Sequence, residues 1–311
     1  MTVLLYAVVY AAALVFVGAC VFRVLKYASA PVHLRWELYP VPHEESPRAA
    51  HGGSYFEEGE WWTHPRRTNL MGELRFMIPE ILFLKGLWRF NRGLWYRSFP
   101  FHFGLYLLVV SIALLMLCAA ILIFIPSLMA GSAGEALRIL YRSAGIAGMP
   151  LTMLGALALL RLRLGNMDLK PYTTAGDVFN LAFFLISLTL LTAAFLSPGP
   201  QTPDMLAVCV GLLTFDLSLR LPALLAAGLL ASALLVAYVP LTHMSHFIAK
   251  YFTYHKVLWD DAPNRGLGRL EARMAEYLTY RPTWSASHLG ADGTKTWAQV
   301  VADRPALEVK K

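Results

Sequence analysis

The sequence predicts an all-α integral membrane protein, a bundle of five transmembrane helices with a large loop and a C-terminal tail on one face. Three observations predict it. Of 311 residues, 57% are hydrophobic and only 15% charged, with a mean hydropathy of +0.51, whereas soluble domains sit near half apolar and a quarter charged. Five stretches stay apolar over the roughly 20 residues a helix needs to cross hydrocarbon. Lys and Arg gather in alternate connections, as they do when a chain crosses a bilayer repeatedly.

The five stretches run from Val3 to Leu25, Phe101 to Ile125, Ile139 to Leu162, Ala175 to Leu196 and Leu221 to Ala249. The third is the weakest, because Pro150 interrupts it and Arg142 and Arg161 limit it. The first stretch lacks the basic leader of a signal peptide, is longer than an h-region, and is followed by Arg23 and Lys26 in stop-transfer fashion, so it reads as a membrane helix. The chain thus divides into helix 1 (1–26), a cytoplasmic loop (27–99), four further transmembrane helices (100–249) and a cytoplasmic tail (250–311).

Within the loop, "PVHLRWELYPVPHEE" from Pro31 favours an extended segment. The stretch from Asn69 to Phe90 mixes apolar, aromatic and spaced basic residues, as a helix does that lies on the membrane surface or packs on the bundle. The outer connections hold a Pro-rich turn, "SPGPQTPD" from Ser197, and a short amphipathic stretch from Gly131 to Arg138. In the tail, Gly268 to Tyr280 reads as a helical patch. A long loop and a long tail on one face exceed what connectors need, and that face is expected to dock a partner.

Basic residues set the orientation. Nine Lys or Arg lie between Tyr27 and Phe99, three between Arg161 and Thr174, and ten from Lys250 onward, against only Arg138, Arg142 and Arg220 in the other two connections. The positive-inside rule then places the N-terminus in the periplasm and the C-terminus in the cytoplasm, across the inner membrane. The net charge of +7 is a topology signal, and without a motif it does not point to nucleic acid. Cys20, Cys118 and Cys209 are far apart in sequence, which leaves no ligand cluster for an iron–sulfur centre or structural zinc and reads as ordinary packing. Asp177 and Asp216 read as helix caps or edge residues.

Six of nine histidines fall in segments that water reaches; the exceptions are His102, His243 and His246. An ionisable side chain inside a spanning segment is a functional hypothesis by default. His102 begins the second helix and the pair ends the fifth, so all three occupy the same leaflet. Two imidazoles on different helices at matched depth are what the two axial positions of one haem b require, and no CxxCH motif for covalent attachment is present. Gly104, two residues beyond His102, gives a flat macrocycle room. His243 and His246 differ by about 4.5 Å of rise and 60° of face on an α-helix, so one ligates and the other serves elsewhere.

"SFPFHFGLYLLV" (from Ser98), "YTTAGDVFNLAFFLISLTLLT" (from Tyr172) and "VPLTHMSHFIAKYFTYHKV" (from Val239) resemble the second, fourth and fifth helices of the respiratory nitrate reductase gamma subunit family. "VHLRWELYPVPHE" and "KYFTYHKVLWDD" resemble more closely the Tmc and Dsr type of membrane subunit from sulfate-reducing bacteria. The resemblance implies a membrane cytochrome b subunit of a respiratory complex. Such a subunit passes electrons between menaquinone or another quinone and a cytoplasmic iron–sulfur subunit of heterodisulfide-reductase type. A periplasmic cytochrome c would join such a complex through other subunits. It implies iron ligation by His102 and by His243, counting back from Lys250, or His246, counting forward from Pro240; the His-Met dipeptide favours His243. Where the family's outer haem has its histidines, this chain has Ile112 and either Leu225 or Gly228, so one haem is expected. Polar groups for an inner quinone site are available at His246, Lys250, Tyr251, Arg75 and Glu80. The competing expectation is a haem-free membrane anchor for a soluble redox partner; a transporter is disfavoured by the lack of an internal repeat.

Overall fold

In a computed structural model, residues 2–29, 69–199, 202–255, 269–283 and 291–303 are described. The extended-segment expectation at Pro31 and five histidines (His33, His43, His51, His64, His288) lie outside them. Among the described residues every regular element is helical: α1 (Thr2–Ser29), α2 (Leu70–Phe83), α3 (Lys85–Phe90), α4 (Arg92–Phe124), α5 (Pro126–Ala130), α6 (Ser132–Gly165), α7 (Ala175–Leu196), α8 (Met205–Thr214), α9 (Ala223–Tyr238), α10 (His246–His255), α11 (Arg269–Leu278) and α12 (Trp297–Ala302). Five spans are long and apolar enough to cross a membrane: α1, α4, α6, α7, and α9 extended to Leu241. This is the architecture of a multi-pass membrane protein.

Helix α7 starts where its side chains permit. Thr174 accepts from the Asp177 backbone N–H at 3.3 Å while the Asp177 carboxylate accepts from Thr174 N–H at 2.9 Å, a reciprocal capping box. Asp177 is thus a cap, as expected. Asp216 closes a turn by accepting from Ser218 N–H and Oγ–H. Helix α6 runs unbroken through Pro150, as prolines in membrane helices can where neighbouring helices pack against the backbone. The Gly131 to Arg138 stretch belongs to its first turns.

The spans form an arc in which α4 packs on α6, α6 on α7, α7 on α9, and α9 on α1. Glycine permits the closest of these approaches. A Cβ on Gly104 would collide with Thr152, and one on Gly155 with the backbone of Phe101, so α4 and α6 meet backbone to backbone, the small-residue packing of membrane helices. Helix α8 departs from the expected outer turn. It fills the space between α1 and α4 at one end: Val208 packs with Leu5, Tyr6 and Leu225, and Leu206 with Cys118 and Met129, while Tyr6 donates to Asp216 O at 2.9 Å.

At the other end the fifth apolar run breaks. Helix α9 stops at Tyr238, short 3-10 turns cover Val239–Leu241 and His243–Ser245, and α10 begins at His246. Pro240 cannot donate its backbone nitrogen to the ladder. Arg23 of α1 donates to two carbonyls of the break, Pro240 O and, at 3.3 Å, Thr242 O. Helices α2 and α3, joined at the left-handed Leu84 (φ 51°), lie along α4. Trp95 Nε1 donates to Phe83 O at 2.7 Å and Tyr106 OH to Ile81 O at 2.7 Å, while Leu70, Met71 and Ile78 remain exposed. The segment therefore packs on the bundle with one face and keeps the other apolar and open.

Candidate functional site

The three histidines gather where the break in the fifth run meets the first half of α4. His102 Nδ1 lies 2.8 Å from Ser98 O. A carbonyl only accepts, so Nδ1 carries the proton, and in the neutral ring Nε2 keeps its lone pair. The Ser98 hydroxyl stands 3.2 Å from the same Nδ1. Second-nitrogen anchoring of this kind orients metal-bound imidazoles. His102 Nε2 has no hydrogen-bond partner among the described residues.

His246 stands opposite. Its ring centroid is 6.2 Å from that of His102, with the planes at 64°. Its Nδ1 is turned toward His243 O at 3.4 Å, a longer version of the same anchoring, and Nε2 again has no hydrogen-bond partner among the described residues. Imidazole nitrogens bind a metal at about 2 Å, so His102 and His246 are the residues that would hold a metal between them, and a haem there would supply one-electron chemistry.

His243 is engaged elsewhere. Tyr238 OH donates to Asn180 Oδ1 at 2.8 Å, which fixes the amide so that Asn180 Nδ2 donates to His243 Nε2 at 3.2 Å. That nitrogen therefore accepts, and its lone pair is already used. Asp177 Oδ1 lies 3.6 Å from the same atom, and its other oxygen 3.7 Å from Arg163. Hydrogen bonds through Tyr238, Asn180 and His243 tie the break to α7, and the Asp177–Arg163 pair ties the start of α7 to the end of α6. Asn180 is 5% exposed, and a buried amide needs both of its partners.

Gly104 finds its use in helix packing rather than beside a ring. Two residues beyond His102, it sits about 200° round the helix and faces Thr152 and Gly148 of α6. Of the inner polar groups, Lys250 and Glu80 do meet, at 3.4 Å, and Glu80 also accepts from Gly86 N–H at 2.7 Å; α2 is thereby fastened to α10. Tyr251 and Arg75 are exposed.

No family model matches the chain, and no curated protein or solved structure matches it. Its functional reading rests on its own residues.

Helices α4 and α9 are each held mainly by other neighbours, α4 by α6 and α9 by α7 and α1. Phe101 and Phe184 stack edge to face at 5.2 Å behind His102, in a cluster completed by Ala156, Leu181 and Leu235. At the opposite end the positions compared with an outer haem do other work. Ile112 is 53% exposed, Leu225 is 1% exposed against Leu5 and Tyr6, and a Cβ on Gly228 would press on Leu191.

The tail reaches the same end as the histidines. Trp297 Nε1 donates to Tyr172 OH at 2.6 Å and Trp297 N to Tyr280 O at 2.8 Å. Tyr172 also meets the Tyr280 ring edge to face at 4.9 Å. Burial pushes the Tyr172 phenol up, against the opposing pull of the Trp297 hydrogen bond. Tyr172 stands two residues before the α7 cap at Thr174, so the tail and the start of α7 share one short link.

Sequence reading missed Ser98, Asn180 and Tyr238. Asn180 had a visible signal, being a lone amide in the apolar run of α7. The Ser98 contribution is a backbone carbonyl and leaves no signal.

Proposed function

We propose that the chain is the membrane cytochrome b subunit of an electron-transfer complex, with one haem b held between His102 and His246. The observation that carries the reading is the 6.2 Å pairing of these rings, each with Nδ1 turned to a backbone carbonyl and Nε2 uncommitted. A bound haem b supplies a one-electron carrier. The protein's part is to hold both imidazoles in the required tautomer, to wall the site with Phe101 and Phe184, and to keep His243 occupied by Asn180. Leu225 and Gly228, spent on packing, support a single haem.

Electrons would pass between a quinone pool and a cytoplasmic iron–sulfur partner. Support for the partner comes from the end of the molecule at which the tail, the Lys170–Tyr172 link and α10 converge beside the histidines; the positive-inside rule makes that end cytoplasmic. The test is a pyridine haemochrome determination on the purified chain with a reduced-minus-oxidised spectrum. About one haem b per chain, reducible by a quinol analogue, is expected. Colourless protein purified with its partners would leave the haem-free anchor.

A further inference from the structure

We propose that the α2–α3 segment is an interfacial anchor: its open face sinks into the acyl layer of the leaflet on the histidine side, and the cations of α3 hold anionic phospholipid headgroups there. Leu70, Leu74, Ile78 and Ile81 follow one another at the helical repeat, and each is between 36% and 66% exposed. Another side of the same helix carries Glu80, fastened to Lys250 of α10 at 3.4 Å. Helix α2 therefore turns a polar contact toward the protein and an apolar stripe away from it. A contiguous apolar stripe of this kind marks an interaction surface.

What covers the stripe follows from where it is attached. Trp95, Phe99, Phe103, Tyr106 and Val110 fall on one face of α4, and the first three rings stack in turn at 4.5 Å and 5.4 Å. The carbonyls of Phe83 and Ile81 accept from Trp95 and Tyr106 on that face. One turn beyond Tyr106, Val110 is 46% exposed in a span long and apolar enough to cross a membrane. The stripe thus continues a lipid-facing flank, and a soluble partner could not cover it without entering that lipid. The headgroup chemistry comes from α3 and the start of α4. Lys85, Arg89 and Arg92 are exposed, no Asp or Glu lies between residues 85 and 97, and no carboxylate pairs with the three cations among the described residues. Arg92 lies over the Trp88 ring at 4.8 Å, a contact that steers the guanidinium and keeps its charge. Trp88 and Trp95 meet edge to face at 4.7 Å, and indoles concentrate at the membrane interface. Apolar stripe, indoles and cations together are the composition of a helix bedded in an anionic leaflet.

The test replaces Cys20, Cys118 and Cys209 by Ala, places a nitroxide at Leu74→Cys or Ile78→Cys, and reconstitutes the full chain in nanodiscs of equimolar phosphatidylglycerol and phosphatidylcholine. Both labels should relax faster with oxygen, which concentrates in the acyl layer, than with a water-soluble nickel chelate. Faster relaxation by the chelate means a face in water and overturns the proposal. Protection from both reagents means that a second copy or a partner protein covers the stripe, and overturns it equally. Headgroup binding is read by native mass spectrometry after transfer to detergent. The parent retains phosphatidylglycerol preferentially, and Lys85→Gln/Arg89→Gln lowers that retention by about fivefold or more with helix content unchanged. A double variant that keeps phosphatidylglycerol like the parent overturns the role given to the cations.

Discussion

Which ring nitrogen is already bonded separates His102 and His246 from His243. The first two present their backbone-facing nitrogen to carbonyls at 2.8 Å and 3.4 Å, while His243 spends Nε2 on Asn180 at 3.2 Å. Tyr238→Phe removes the hydroxyl that fixes the Asn180 amide. It should cost about 0.5–2 kcal/mol, the range of interhelical hydrogen bonds in membranes, read as a lowered unfolding midpoint in detergent, with haem retained. A Tyr238→Phe protein as stable as the parent would mean that the chain of polar contacts carries no weight. The histidines as a group were legible, since polar residues in apolar runs are conspicuous. Which of the pair faced His102 was not, because that depended on backbone geometry: the 60° step between His243 and His246 assumed an α-helix, and a 3-10 turn stands there instead.

Among elements, α7 was the most legible, with bounds of Ala175 and Leu196 that its Thr174–Asp177 box explains. Thr174→Ala should cost about 1 kcal/mol and loosen the link to the tail, measured as faster proteolysis between residues 166 and 174. The fifth run looked continuous because hydropathy does not register a missing N–H, and Pro240 breaks it. Helix α8 escaped notice because ten apolar residues between "SPGPQTPD" and Asp216 are too few to span and resemble a turn. Helix α6 survived Pro150 through its neighbours. It meets α4 backbone to backbone, so Gly155→Leu must drive a side chain into the Phe101 backbone. Overpacking of this kind costs about 1–3 kcal/mol or more, and the variant should unfold at lower temperature and lose haem together with stability. A Gly155→Leu protein of parental stability would contradict the backbone contact.

For the whole molecule, the arc of spans places the histidines, the tail and the α2–α3 segment at one end and α8 at the other. The charge asymmetry predicts that the histidine end is cytoplasmic. With Cys20, Cys118 and Cys209 replaced by Ala, the Ser197→Cys protein should react with a membrane-impermeant maleimide in intact cells, and the Thr294→Cys protein only after permeabilisation; the reverse pattern would invert the topology. The tail should detach in Trp297→Ala, which loses the 2.6 Å bond to Tyr172, and become protease-sensitive without change in the spans. The central claim is the His102–His246 pair, and haem stoichiometry in the purified single variants tests it most directly. His102→Ala and His246→Ala should lose the haem, and His243→Ala should keep about one per chain with a shifted potential. Loss in His243→Ala with retention in His246→Ala would contradict the pairing, and haem kept in all three would contradict the site.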